Sequence, residues 1–227
     1  MSKIKIGLIG LGTVGSGVYK NLMNFDQVEI AKIAVRNINK PRTVNVPTDL
    51  LTDNPYDIVN NPEIDVVVEL MGGIEPAWDY IRTALENGKH IVTANKELLA
   101  KKGEPLFKLA KEKNVVILYE AAIAGGIPII MPIKTTLASN NITKIEAILN
   151  GTTNYMMTKM DNEGIDFDVV LKDAQDKGYA ERNPEADVEG YDACRKIAIL
   201  SSLAYGKQVD FEDIYTEGIT KISTNDM

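Results

Sequence analysis

Two stretches of the 227-residue chain hold residue types that could do chemistry. The first is IGLIGLGTVGSGV, where Gly10, Gly12 and Gly15 stand in the spacing G-x-G-x-x-G. Between a strand and a helix, such glycines allow a tight turn and close backbone approach. A pyrophosphate can then sit on the helix N-terminus. Leu11, Thr13 and Val14 complete that turn. The plainer reading is a glycine turn that only packs helix on strand. The second stretch is KGYAERNPEADVEGYDACRKIAIL, Lys177 to Leu200. It sets Glu181, Glu185, Asp187, Glu189 and Asp192 beside Arg182, Arg195 and Lys196. Asp192 and Lys196 are four apart on an expected helix, hence on one face. A surface ion pair there would be common and worth little. A lysine can also act as an acid or base when burial and neighbouring cations lower its pKa. Asp192 alone would push the other way, stabilising the ammonium.

These residues need elements to hold them. The first 120 residues alternate strand-like and helix-like runs: strands near 3–10, 28–35, 65–70, 90–95 and 115–120, with helices over 13–23, 76–87 and a stretch through 113. Alternation with nearly continuous β-branched strands predicts a Rossmann-type, doubly wound parallel sheet covered on both faces. The pattern then changes. AAIAGGIPII is a glycine loop entering a helix at Pro128, and NITKIEAIL (141–149) alternates like a half-exposed strand. NGTTNY (150–155) reads as a polar turn; helices follow near 154–161, 167–177 and 188–205. The expected organisation is an α/β nucleotide domain over 1–127 and an α+β substrate and dimerisation domain over 128–227.

In such sheets an acidic residue about twenty positions past the glycines binds the ribose hydroxyls of NAD. This sequence reads AKIAVRNINKPR, with Arg36 at that place and Lys40 and Arg42 behind it. A guanidinium suits a 2′-phosphate. NADP(H) is therefore expected, with NAD(H) use open; the alternative is a surface basic cluster. Lys96 falls at the end of a strand, where doubly wound sheets place ligands. His90, the only histidine, opens the same strand and is expected to be structural.

The net charge of −7 and pI near 4.9 argue against nucleic acid or an anionic membrane as main partners. One cysteine, Cys194, permits no intrachain disulfide and fits a reducing compartment. No apolar run is long enough to span a membrane, and MSKIKIGLIG lacks a signal peptide's layout. A soluble cytoplasmic protein is expected.

The ordered motifs GLGTVG, TANKELLA, EAAIAGGIPII, NGTTNY, GYAERNPEADVEGYDACRK and ILSSLAYG resemble homoserine dehydrogenase. The resemblance implies interconversion of L-aspartate 4-semialdehyde and L-homoserine with NAD(P)H, a step toward threonine and methionine. It implies Lys196 as proton donor, with Lys96 near both substrate and nicotinamide. Gly151, Thr152, Tyr179, Glu181, Asp187 and Asp192 would surround the amino acid, whose ammonium group wants carboxylates and carbonyls. Gly178 would approach the cofactor. Glu120, with the carbonyls of Ile123, Gly125 and Ile127, would bind Na⁺ or K⁺; a glycine hinge is the plainer reading of that segment. Glu185, Glu189 and Arg182 are left to solvent. A homodimer through the second domain is also implied.

Relatives of this kind continue for roughly a further third of their own length, so a catalytically incomplete ligand- or nucleotide-binding fragment is the rival expectation. Aspartate-semialdehyde dehydrogenase would need a nucleophilic cysteine, and Cys194 lies inside an expected helix.

Overall fold

The computed structural model describes residues 3–226. The chain divides into two compact units, Met1–Ile129 and Ile130–Met227.

The first unit is built on six parallel strands: β1 (Ile4–Ile9), β2 (Val28–Ala34), β3 (Leu51–Thr52), β4 (Val66–Glu69), β5 (His90–Thr93) and β6 (Ile117–Leu118). Their order is β3-β2-β1-β4-β5-β6, and every pairing is parallel. The connecting helices are α1 (Thr13–Leu22), α2 (Tyr56–Val59), α3 (Ala77–Glu86) and α4 (Lys96–Glu112). Leu8, Ile33, Val67 and Ile91 are fully buried on the central strands, which is why these strands read as unbroken apolar runs. Ile81 and Leu85, four apart, bury one face of α3. The two-residue strand β3 and one-turn α2 had no periodic signal of their own. Register ties them in: Leu51 pairs with Ile33 and Thr52 with Ala34.

Because all strands run the same way, Ile9, Ala34, Glu69 and Thr93 end on one edge of the sheet. The opposite edge holds His90, whose Nδ1 accepts from Val116 N at 3.2 Å. That bond gives the histidine a structural task.

The second unit holds α5 (Ile130–Lys134), α6 (Gly151–Glu163), α7 (Phe167–Asp176), α8 (Glu185–Val188) and α9 (Tyr191–Tyr205). Met156 and Met160 of α6 pack with Val170 and Ala174 of α7 and Val188 of α8. Three expectations need correction here. The segment 141–149 is in no strand, and the described elements of this unit are helices. Its alternation survives as a Lys144–Glu146 ion pair two residues apart, with Ile148 81% exposed. An alternating segment becomes a strand only when a neighbour supplies the ladder bonds, and the described residues supply none. The turn expected over 150–155 is the first part of α6, because Asn150 caps it: its side chain accepts from Thr153 N. The helix expected over 188–205 is α9, which starts three residues later, with α8 a separate turn before it. Gly190, at φ +82°, separates the two, and a Cβ there would lie 3.0 Å from Glu217 O.

Candidate active site

Each unit carries one part of the expected machinery. In the first, the phosphate turn joins β1 to α1. Gly10 N donates to Ala34 O at 3.0 Å, binding the turn to β2. Gly10 stands at φ +102°, and a Cβ added there would sit 2.9 Å from Leu70 O. A Cβ on Gly15 would sit 2.3 Å from Gly10 O, so only glycine lets α1 start this close to the strand. Around Gly12 nothing lies within 4 Å, so that side of the turn is open. Gly12, Thr13 and Val14 are exposed, while Leu11 packs against the β1–β2 core. No side chain caps α1 and no acidic residue stands in its first turn. Its leading N–H groups and positive dipole end are thus available to an anion.

Arg36 follows β2 by two residues and is exposed. Arg42 is used differently: its guanidinium donates to the carbonyls of Asn37, Ile38 and Lys40 and so shapes the loop after Arg36. Of the basic cluster, Arg36 fits a phosphate contact and Arg42 holds the loop.

Lys96 is the first residue of α4, three past β5. A cation in a helix's first turn works against the helix dipole. Its place at the start of α4 is the helix-start position, next to the strand ends of the sheet. A buried network that sequence reasoning missed fixes its surroundings. Glu69, with no solvent exposure, ends β4; it accepts from Met71 N (2.8 Å), Gly72 N (3.2 Å) and Thr93 Oγ1 (2.7 Å). Thr93 Oγ1 in turn accepts from Asn95 N, and Asn95 Nδ2 donates to Gly73 O at 2.7 Å. Asn95 Oδ1 accepts from Leu98 N, capping α4. One chain of bonds thus sets the strand ends, the 71–73 turn and the helix that begins at Lys96. The available signal was a glutamate closing the apolar run DVVVEL, a buried charge that must find donors.

Glu120 opens a short 3-10 turn after β6, and its Oε1 accepts from Ile129 N. The bond closes the loop bearing Ile123, Gly125 and Ile127. Carboxylate and carbonyl oxygens are the hard donors an alkali cation prefers. Among the described residues no cluster of three or more His, Cys, Asp or Glu could hold a metal ion.

In the second unit the expected substrate residues converge. Lys196 Nζ lies 2.7 Å from Asp192 Oδ2 and donates to Leu149 O at 2.8 Å. Their side chains are only 15% and 4% exposed, so this is no surface pair. Asn150 Nδ2 donates to Asp187 Oδ1 (2.7 Å) and Asp192 Oδ2 (3.0 Å). The left-handed Gly190 supplies the corner between α8 and α9 that brings those two aspartates together. Thr152 Oγ1 donates to Tyr179 O at 2.7 Å, tying the start of α6 to the loop after α7. Gly178, at φ +75°, turns that loop. Gly151, Tyr179 and Glu181 are exposed. Glu181 joins the arrangement only through its carbonyl, which accepts from Gln175 Nε2 at 3.1 Å.

Behind Tyr179, its ring meets Tyr155 edge-on at 4.9 Å. Asp173 accepts from Lys159, Tyr155 and Lys177, which hold its carboxyl well below the usual carboxylate range. This cluster braces the loop from outside. Asn150, read from the sequence only as part of a turn, is the residue that links the two aspartates.

The comparisons with known proteins bear on both units. A family model described as the homoserine dehydrogenase NAD-binding domain matches residues 10–120. A second, described as homoserine dehydrogenase, matches residues 128–227. A solved structure of an Archaeoglobus fulgidus protein described as a homoserine dehydrogenase superposes with a TM-score of 0.87 at 31% identity, covering 99% of this chain and 75% of that one. The chain belongs to the homoserine dehydrogenase family. Its Synechocystis relative, named homoserine dehydrogenase, is 49% identical over 231 residues, 99% of this chain and 53% of that protein. A hyperthermophilic archaeal homoserine dehydrogenase mutant, solved in complex with NADPH, matches at TM-score 0.83 and 27% identity, covering 98% of this chain and 75% of that one. The chain spans about half the length of the curated relatives it matches. No helix among the described residues is long and apolar enough to cross a membrane.

Proposed function

We propose that this chain carries the cofactor and substrate sites of an NAD(P)H-dependent homoserine dehydrogenase. The reaction interconverts L-aspartate 4-semialdehyde and L-homoserine, on the route to threonine and methionine. The observation that carries the reading is the Lys196–Asp192–Asn150–Asp187 cluster, built around the buried Asp192 and Asn150, in a chain of this family.

The bound nicotinamide would exchange the hydride. The chain's own residues do the rest. During reduction, Lys196 Nζ gives a proton to the aldehyde oxygen as it becomes an alkoxide; during oxidation it takes that proton back. One hydride and one proton turn the aldehyde into the alcohol. Asp192 and Leu149 O hold two of the three ammonium N–H donors, leaving the third for the substrate oxygen. Two aspartates against one lysine leave the pocket net negative, which suits the substrate's α-ammonium. Gly151, Thr152, Tyr179 and Glu181 complete the surroundings of the amino acid, and Gly178 gives the cofactor room. Lys96 supplies a second cation for the alkoxide or a relay for its proton.

Arg36 makes NADP(H) the preferred cofactor, supported by the NADPH complex of the archaeal relative. Arg36→Ala is expected to weaken NADPH about 10- to 100-fold, the worth of one charge-assisted hydrogen bond. NADH affinity is expected to stay unchanged; parallel binding titrations decide, and equal losses would remove this role. A monovalent cation at Glu120, Ile123, Gly125 and Ile127 is part of the proposal. Turnover is then expected to fall when Na⁺ and K⁺ are replaced by choline, and an unchanged rate would dismiss the cation. We place the protein in the cytoplasm as a homodimer through its second unit, an assembly that light scattering measures.

The length of the relatives favours one second reading: a fragment that binds ligands without turnover. NADPH consumption with L-aspartate 4-semialdehyde, run beside a cofactor titration, separates the two. Binding without consumption supports the fragment.

A further inference from the structure

We propose that Asn150 is a positioning residue that makes the two-aspartate, one-lysine cluster tenable; this rests on reading the cluster as the substrate site. Asn150 is buried at 7% exposure, and its side chain is saturated. Both amide donors are spent on Asp187 Oδ1 and Asp192 Oδ2. Its Oδ1 accepts from Thr153 N at 2.8 Å and Thr153 Oγ1 at 3.0 Å. An amide offers two donors and two lone pairs, so nothing is left over and its orientation is fixed. The flipped amide would set oxygen against two carboxylates.

The dipeptide Leu149–Asn150 is therefore a hub. The carbonyl of Leu149 accepts from Lys196, and the amide of Asn150 donates to both aspartates. The same residue starts α6, which carries Gly151 and Thr152. Two carboxylates gathered on one NH₂ group repel each other, and Lys196 pairs with Asp192. The amide N–H groups between them offset that repulsion without adding charge. A neutral donor here leaves the pocket its surplus negative charge for a cationic ligand, which a lysine or arginine would cancel.

The charged groups facing Asn150 are Asp187 from α8 and Asp192 with Lys196 from α9. From α7, Asp173 and Lys177 are engaged with Tyr155 and Lys159, farther along α6. On the segment packed against Gly190, Glu217 bonds Tyr215 Oη.

Asn150→Asp tests this directly. Aspartate keeps the shape and the N-cap but replaces two donors with acceptors, giving three clustered carboxylates. Like charges so close raise one of their pKa values. Once protonated, that carboxyl has an O–H that restores one of the lost bonds. At high pH, Asn150→Asp is expected to lower kcat/KM about 100-fold, the scale of a 1 Å misplacement. The ratio of variant to parent kcat/KM should then rise as pH falls. Asn150→Ser, which caps α6 but cannot reach both aspartates, should show a deficit that does not change with pH. Thermal melting gives a reading independent of turnover: the Tm gap between Asn150→Asp and parent should narrow on acidification. A gap and a rate ratio that are flat or worsen with acid overturn the proposal. If the parent chain shows no turnover while the Tm gap still narrows, the hub stands and the dehydrogenase reading falls.

Discussion

Lys196→Ala is expected to lower turnover about 10²- to 10⁴-fold, the usual worth of a positioned acid–base group. The physical reason begins with burial. Lys196 is 15% exposed, and its ammonium is gripped by Asp192 Oδ2 and Leu149 O. Its removal takes away the proton that the developing alkoxide needs. It also takes from the Asp192 carboxylate, 4% exposed, its ion pair with Lys196. Breaking a buried pair on one side costs roughly 3–5 kcal/mol, so the variant should also melt earlier. Lys196→Met, close in volume, keeps more of the packing and helps separate lost chemistry from lost stability. Cofactor binding lies in the other unit and should be spared in both variants. Steady-state rates beside an NADPH titration check this. A variant that turns over normally removes Lys196 from the mechanism. A variant that loses cofactor affinity as much as rate has failed to fold.

Gly15→Ala is expected to abolish useful cofactor binding. The added Cβ would lie 2.3 Å from Gly10 O and 3.0 Å from Gly10 C. Both are backbone atoms of the same turn, so no side chain can swing aside. Gly10 is itself held, because its N–H donates to Ala34 O at the end of β2. The helix must move away from the strand or the turn must open. Either displaces the N–H groups that would meet a pyrophosphate. Losing two such charge-assisted bonds costs about 3 kcal/mol or more, hence at least a hundredfold in Kd. Gly17→Ala, two residues on, has open space within 4 Å and is the natural control. Titration of NADPH into both variants should show the loss at Gly15 alone. Equal affinities would mean that no ligand sits on this turn.

Much of this arrangement was legible in the sequence because the deciding signals are local. Strands buried on both faces read as Val/Ile-rich runs, and the glycine spacing marked the turn. The Asp192–Lys196 pair followed from helical periodicity. What stayed hidden depends on distant partners. Nothing in NITKIEAIL shows whether a neighbour will complete its ladder. Glu69 looks like the polar end of a strand until Thr93 and the 71–72 backbone surround it. Asn150 looks like part of a turn until Gly190 folds α8 against α9 and brings Asp187 and Asp192 onto its amide. Arg42 was grouped with Arg36 by charge; only the loop's own carbonyls separate their tasks. In each case the sequence gives the residue type and the fold gives the partner.

The central claim is that the buried cluster of the second unit recognises an amino acid whose aldehyde is then reduced. It is tested most directly by NADPH oxidation by the purified chain, with L-aspartate 4-semialdehyde and with the same aldehyde lacking its α-amino group. Turnover is expected with the amino acid, and at least a hundredfold lower kcat/KM with the analogue, the loss of about 3 kcal/mol of charge-assisted hydrogen bonding to the α-ammonium. Equal rates with both aldehydes, or turnover with neither while NADPH binds, would contradict it.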